Sequence, residues 1–139
     1  PKSLLVRPAV DPKEGGRKDL FVSYSRLNKI YVSGIVRDIE SAFGKSVWFD
    51  TKDIPPAADW WEEIADGIRS SNYCVFMLSP GWLKSEVCNR ELTYALECGK
   101  AIVPVLIEDV PMSDIPPAIA KLNFVFLRAS DNRREALDK

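Results

Sequence analysis

The stretch Tyr73–Leu78, with the sequence YCVFML, decides the fold class of this 139-residue chain. It is apolar at nearly every position, and Ser79-Pro80-Gly81 closes it at once, a combination typical of a strand buried on both faces. Strands of that kind belong to parallel sheets, because each crossover connection lays a helix against one face of the sheet. The sequence on either side should therefore alternate further strands with helices.

The flanking sequence meets this expectation. Four more short apolar runs are predicted to be strands: 20–24, 46–49, 101–107 and 124–127. Apolar residues at helical spacing predict three helices: 30–43 before Gly44, 60–68 after a capping Asp59, and 85–98 before Gly99. The sequence thus predicts an α/β, flavodoxin-like three-layer fold, with a five-stranded parallel sheet flanked by helices.

The ends of the chain differ from its middle. Residues 1–17 contain Pro, Lys, Glu and a Gly pair, carry no signal-peptide pattern, and are predicted to be a linker or N-terminal extension. The folded domain is predicted over 18–130, and 131–139 is predicted to begin a C-terminal linker. We therefore expect a segment of a longer protein.

Composition argues against several classes of function. The net charge of −1 offers no electrostatic basis for binding nucleic acid or an anionic membrane, and no apolar run approaches the length of a membrane helix. Histidine is absent, which excludes Ser-His-Asp and Cys-His chemistry and histidine-based metal sites. Cys74, Cys88 and Cys98 form no CxxC pair, so we expect free thiols in a cytoplasmic protein without a metal or cofactor.

The predicted strand ends indicate where a ligand would bind. In open parallel sheets, ligands bind at the carboxyl ends of the strands. Those ends carry Tyr24-Ser25-Arg26, the loop that starts at Asp50, and Ser79-Pro80-Gly81. We expect these three groups to lie close together.

One carboxylate of the helix 85–98 breaks its pattern. On a helical wheel with Val87 at zero, Glu91 falls at about 40°, inside the apolar arc. The other charged residues of the helix lie on the opposite side. A lone carboxylate there must be paired, protonated or lining a cleft. Two interpretations stay open: Asn89 caps the helix and Glu91 only favours its dipole, or Glu91 is functional.

A single carboxylate without histidine or metal suits few glycosidic reactions. Most such reactions use two carboxylates, one of which protonates the leaving group. A leaving group that is already cationic, such as the nicotinamide of NAD+, needs no acid, and one carboxylate can stabilise the developing oxocarbenium charge. The residues are compatible with this chemistry but do not select it.

Four segments resemble TIR domains of the bacterial type. They are KDLFVSYS (18–25), VWFDTKDIPPAADWWEEI (47–64), YCVFMLSPGWLKSEVCNRELTYAL (73–96) and KAIVPVLIED (100–109). Their order and spacing are those of the family, over about residues 18–128. The resemblance implies the same flavodoxin-like fold.

The resemblance also implies a site. TIR domains are interaction modules, and many members cleave NAD+ with a glutamate inside a motif like S-x-x-C-x-x-E. Ser85, Cys88 and Glu91 match that motif, which implies that Glu91 is catalytic. Further substrate-binding residues would be Tyr24, Ser25, Arg26, Asp50 and Trp60, and the loop residues Asp53, Ile54, Pro55 and Pro56 are similar to the family's self-association loop.

The activity implied is that of an NAD+ nucleosidase, with NAD+ as substrate and with ADP-ribose or a cyclic ADP-ribose isomer as product. Its partners would be further copies of the domain and other domains of the parent protein, which we expect to be a prokaryotic defence sensor or an effector. Two positions depart from the family pattern: Ala57 replaces the glycine common after the Pro pair, and RLNKIYV (26–32) replaces an acidic residue and Phe.

Three other functions compete with this one. A non-catalytic TIR scaffold would do no chemistry, and scaffold members often lack the glutamate. A nucleoside 2-deoxyribosyltransferase relative disagrees with the Pro-rich loop, and a response-regulator receiver would need acidic residues where Ser23-Tyr24-Ser25 and Ser79-Pro80 stand. Several site residues also have plain structural interpretations: Ser85, Asp50 and Asp53 as caps, Cys88 and Trp48 as core, and Arg26 as a solvated charge.

Overall fold

The computed structural model describes residues 18–49, 60–128 and 131, with Trp60 described by its backbone alone. The predicted linker 1–17 and the loop that contains Asp50, Asp53, Ile54, Pro55 and Pro56 lie outside the described residues, as does the predicted cap Asp59. The strands are β1 (Lys18–Ser23), β2 (Val47–Trp48), β3 (Ser71–Leu78), β4 (Ala101–Leu106) and β5 (Val125–Phe126). The helices are α1 (Lys29–Phe43), α2 (Trp60–Ser70), α3 (Pro80–Lys84), α4 (Glu86–Glu97) and α5 (Pro117–Ala120), with 3-10 turns at Arg26–Asn28 and Met112–Asp114.

The five strands form one sheet in the order β2-β1-β3-β4-β5, and every neighbouring pair is parallel. Phe21 of β1 stands opposite Cys74 of β3, and Cys74 stands opposite Ile102 of β4. This is the flavodoxin-like strand order, so the predicted fold class is confirmed.

The two faces of the sheet are covered by different helices. Side chains alternate along β3, so Cys74, Phe76 and Leu78 join one buried cluster while Val75 and Met77 join the other. The first cluster contains the apolar faces of α2, α3, α4 and α5, and the second contains that of α1. YCVFML is therefore apolar throughout because helices bury both of its faces.

One observed helix end agrees with its prediction from the sequence, and two correct the prediction. Gly44 ends α1 with φ of 65°, in the left-handed region that glycine tolerates, as predicted. Ser79-Pro80-Gly81 was predicted only to close a strand, but the Ser79 hydroxyl accepts a hydrogen bond from the Trp82 backbone N–H and begins α3. The cap of α4 is Ser85, not Asn89, whose amide instead donates to the Ser85 carbonyl from inside the helix.

No helix within 18–49 or 60–128 combines the length and the apolar character that spanning a membrane would require.

Gly67 marks a tight contact between α2 and β2. A Cβ placed on Gly67 would lie 2.7 Å from two carbons of the Trp48 indole. We expect Gly67→Ala to lower the free energy of unfolding by about 1–3 kcal/mol, the usual cost of overpacking. In a Trp48→Ala background the cost should vanish or reverse, since alanine is the better helix former by about 1 kcal/mol. Urea unfolding of the four proteins measures this cycle, and an equal cost in both backgrounds would contradict it.

Candidate active site

A cleft of about 440 Å³ opens at the carboxyl ends of β1 and β2 and is walled by α4. Its lining includes all the predicted site residues whose side chains are described: Tyr24, Ser25, Arg26, Ser85, Cys88 and Glu91. Val22, Leu27, Trp48, Phe49, Ile64 and Val87 complete it. The Asp50 and Trp60 side chains, predicted to join this site, lie outside the described residues.

The ends of β1 and β3 meet beside this cleft, as predicted. A Cβ placed on Gly81 would lie 2.6 Å from the Ser25 hydroxyl oxygen, so these two segments are in close contact. The Ser79 hydroxyl donates to the Asn28 side-chain oxygen at 2.8 Å, which ties the start of α3 to the turn after β1. Residues 51 and 56 positions apart in the chain thus meet at one edge of the sheet.

Glu91 is the buried carboxylate of the site. It lies in the second turn of α4, is 7% exposed, and lines the cleft. The Ser23 hydroxyl at the end of β1 donates to Glu91 Oε1 at 2.5 Å. The wheel prediction that Glu91 lies on the apolar face of the helix is therefore confirmed, although that face is centred on Cys88, Leu92 and Ala95 and leaves Val87 and Cys98 exposed.

Burial raises the pKa of Glu91 to about 7, because the charged form loses its hydration. The hydrogen bond from Ser23 acts in the opposite direction and lowers the pKa, since it stabilises the carboxylate. Near neutral pH both protonation states are populated. A group of this kind, in a cleft, is suited to electrostatic stabilisation or to proton transfer.

Ser85 and Cys88 support the helix from which Glu91 projects. The Ser85 hydroxyl accepts a hydrogen bond from the Cys88 backbone N–H at 3.1 Å, so the capping interpretation of Ser85 is confirmed. The Cys88 thiol is 3% exposed and donates to the Tyr24 carbonyl oxygen at 3.4 Å. Burial raises the pKa of Cys88 to about 11, which makes it a neutral part of the cleft wall.

The segment after β1 forms a second part of the cleft lining. Tyr24 stacks on Phe49 with ring centroids 4.8 Å apart, and both rings line the cleft. The Ser25 hydroxyl accepts a hydrogen bond from the Leu27 backbone N–H and so caps the 3-10 turn Arg26–Asn28. Arg26 is the cationic side chain among the described lining residues.

Two residues of the site were missed by the sequence analysis. Ser23 and Trp82 are buried, at 1% and 0% exposure, and the Trp82 indole N–H donates to the Ser23 hydroxyl at 3.0 Å. The available signal was alternation: Ser23 follows Phe21 by two residues, so it must share the face on which α4 packs. A polar side chain at such a position needs a buried partner.

The three cysteines are free thiols, as predicted, but they differ in access. Cys74 and Cys88 are buried and Cys98 is exposed; burial raises the pKa of Cys74 to about 12. At pH 8 we expect iodoacetamide to label Cys98 first, with Cys74 and Cys88 at least ~10-fold slower, because the thiolate is the nucleophile. Peptide mass spectrometry over a time course measures this order. Labelling of Cys88 at the rate of Cys98 would show that the cleft wall opens readily.

Among the residues that the structure describes, no cluster of three or more His, Cys, Asp or Glu side chains could hold a metal ion. The acidic group among the described lining residues is Glu91, which accepts a hydrogen bond from the Ser23 hydroxyl. The described part of the site thus offers one carboxylate, one guanidinium, aromatic rings, and the hydroxyl and thiol groups of Ser25, Ser85 and Cys88.

Comparisons with known proteins bear on the family and the fold of this chain. The sequence model of the family described as "TIR domain" matches residues 20–139. The chain is 30% identical over 107 residues to the probable 2' cyclic ADP-D-ribose synthase BdTIR of Brachypodium distachyon, covering 75% of this chain and 47% of that protein. It is 26% identical over 113 residues to human Toll-like receptor 1, covering 78% of this chain and 14% of the receptor.

The chain thus spans less than half the length of either relative. Among solved structures, the TIR domain of the Toll-related receptor TRR-2 from Hydra magnipapillata superimposes with a TM-score of 0.74 at 20% identity. That match covers 87% of this chain and 93% of the other, and at this identity it shows the shared fold.

Proposed function

This chain belongs to the TIR domain family, and from that premise we propose that it is an NAD+ nucleosidase that cleaves the nicotinamide–ribose bond. The observation that carries the proposal is the buried Glu91 carboxylate, which lines a cleft at the last position of the S-x-x-C-x-x-E motif. The similarity to a probable 2' cyclic ADP-D-ribose synthase supports the same chemistry.

The proposed reaction breaks the bond between ribose C1′ and the nicotinamide ring nitrogen. The bond's electron pair leaves with the nicotinamide, which goes from cationic to neutral, so the step needs no general acid. The ribose is left as an oxocarbenium ion, and the Glu91 carboxylate stabilises that charge and holds a ribose hydroxyl. Water then adds to C1′ and loses a proton to give ADP-ribose; attack by another hydroxyl of the same molecule gives a cyclic isomer.

The other cleft residues bind the remainder of NAD+. Arg26 supplies a guanidinium for the negatively charged diphosphate, which it can contact through two N–H groups. The stacked pair Tyr24 and Phe49 offers an aromatic surface for a base. Asp50 and Trp60 are proposed to bind substrate from the family resemblance alone.

The domain is proposed to act when several copies assemble, through the loop that contains Asp53, Ile54, Pro55 and Pro56. Its setting would be the cytoplasm, as the signalling or effector module of a larger protein, with prokaryotic defence as the context. In this arrangement the trigger lies in the partner domains, and the cleft of each copy is completed by its neighbour.

Nicotinamide release from NAD+ tests the proposal. The protein is fused to a domain that forces multimerisation, light scattering establishes the assembly, and chromatography follows nicotinamide and the ribose product. We expect release from the multimer and little from the dilute monomer. An established multimer that leaves NAD+ intact would overturn the enzymatic proposal.

A non-catalytic TIR–TIR scaffold is the second candidate. Its support is the similarity to human Toll-like receptor 1, a protein named as a receptor and not as an enzyme. A scaffold would assemble without releasing nicotinamide, so the same experiment separates the two candidates.

A further inference from the structure

A chain of two hydrogen bonds reaches Glu91 from buried residues outside the cleft lining. The Trp82 indole N–H donates to Ser23 Oγ at 3.0 Å, and the Ser23 hydroxyl donates to Glu91 Oε1 at 2.5 Å. The three residues come from α3, β1 and α4, and all three are buried. Neither Ser23 nor Trp82 lines the cleft.

The direction of each bond follows from counting protons. An indole nitrogen can only donate, so its bond to Ser23 occupies a lone pair of the hydroxyl oxygen. The hydroxyl has one proton, and with Trp82 as a donor on one side that proton points to Glu91. Trp82 thus sets the rotation of the Ser23 hydroxyl, and the indole is itself held edge-on against Phe76, with ring centroids 5.9 Å apart.

We propose that Ser23 is a positioning residue for Glu91, oriented by Trp82, which anchors Oε1 in the protein and leaves Oε2 for a ligand in the cleft. The role in NAD+ cleavage rests on the proposed function; the effect on the carboxylate itself does not. A carboxylate in a buried helix would otherwise turn about its terminal torsion, which is broad for glutamate. One oriented donor removes that freedom and favours the charged form.

Other groups near Glu91 compete little for this role. Cys88 on α4 and Cys74 on β3 would repel the Glu91 carboxylate if they were ionised. Their pKa values of about 11 and about 12 keep both thiols neutral below pH 9. The lining contributed by α2, by β2 and by the residue after β2, at Ile64, Trp48 and Phe49, is not titratable. Arg26 and Tyr24 line the cleft from the segment after β1, and both are unchanged in the variants below.

The first test measures Glu91 without substrate. The side-chain carboxyl carbons are labelled with 13C, and the chain is titrated by NMR as wild type, Ser23→Ala and Ser71→Ala. Ser71 is the matched control, because it is equally buried and its hydroxyl donates to the Gly67 carbonyl, not to a carboxylate. We expect Ser23→Ala to raise the Glu91 midpoint by about one unit and Ser71→Ala to leave it in place.

Two gentler variants keep the test decisive if Ser23→Ala is unstable. Ser23→Cys places a weaker donor at the same position and should raise the midpoint by a smaller amount. Trp82→Phe keeps an aromatic ring but loses the N–H, which frees the Ser23 hydroxyl to rotate and should also raise the midpoint. A Glu91 midpoint unchanged in both variants would overturn the proposal.

The second test uses the assembled enzyme. The pH dependence of kcat/KM should move upward in Ser23→Ala together with the NMR midpoint, with a fall of about 5-fold at pH 7 that is largely recovered at pH 9. A merely structural role would lower activity equally at every pH and would overturn the positioning role. Absence of NAD+ cleavage in the wild type would end the proposed function, and the NMR result would still decide whether Ser23 controls the carboxylate.

Discussion

Glu91→Gln is expected to reduce nicotinamide release by at least ~100-fold in the assembled protein, because it removes the charge that stabilises the oxocarbenium ion. Glutamine has nearly the same shape, and its side-chain oxygen can still accept the hydrogen bond from Ser23. The loss should therefore appear in kcat without a loss of folding or of assembly. Circular dichroism and light scattering on the same samples check both.

Glu97→Gln is the matched control. Glu97 lies on the same helix, has the same side chain, and is exposed outside the lining of the cleft. We expect its nicotinamide release to equal that of the wild type. A Glu91→Gln variant that retains a tenth or more of the activity would show that the carboxylate is not the catalytic group, even if the chain cleaves NAD+.

The same substitution is expected to stabilise the protein at high pH. The folded-state pKa of Glu91 is raised from 4.5 to about 7 by burial, so the folded chain holds a proton that the unfolded chain has lost. The contribution of Glu91 to the free energy of unfolding of the wild type is fully present below pH 4.5. It is lost as the pH rises through 7. Because one pKa unit corresponds to about 1.4 kcal/mol, the total loss is roughly 3 kcal/mol.

Glu91→Gln cannot ionise and escapes this loss. The difference in unfolding free energy between the variant and the wild type should therefore grow by roughly 3 kcal/mol in favour of the variant from pH 4 to pH 9. Urea unfolding at intervals of pH measures it. A flat difference for Glu91→Gln would mean that its carboxylate titrates alike in the folded and unfolded chains.

The two results together would distinguish a functional carboxylate from a structural one. Replacing a residue that serves stability lowers the stability of the protein. Replacing Glu91 is instead expected to lower the activity and raise the stability of the protein. The cost arises because a buried carboxylate gives up its hydration and receives one hydroxyl hydrogen bond in return. A non-catalytic scaffold would have no evident reason to keep it.

Much of the fold could be predicted from local patterns. The run YCVFML, with its apolar neighbours on both sides, predicted the parallel sheet, because continuous apolar strands are stable only when both faces are covered. Gly44 predicted the end of α1, since its left-handed conformation favours glycine. The period of α4 placed Glu91 on the buried side.

Local patterns gave wrong predictions where more than one residue, or more than one local structure, fitted the same stretch of sequence. Both Asn89 and Ser85 can cap a helix, and the sequence offered no means to see that the Ser85 hydroxyl would reach the Cys88 N–H. The helix α3 was missed because Ser-Pro-Gly favours a turn as well as a helix start. On the helical wheel Val87 and Cys98 fall in the apolar arc, yet both are exposed, because the packing of α4 decides the edges of its buried face.

The sequence by itself determined the fold class, the meeting of the β1 and β3 ends and the buried position of Glu91. Each was inferred from local apolar patterns together with the rule that the carboxyl ends of parallel strands share one edge of the sheet. Only the tertiary structure decided what Glu91 touches. Ser23 lies 68 residues from Glu91 and 59 from Trp82, so their contact depends on strand order, on the β1–β3 register and on the placement of two helices. Periodicity shows which way a side chain points, and packing alone selects its partner.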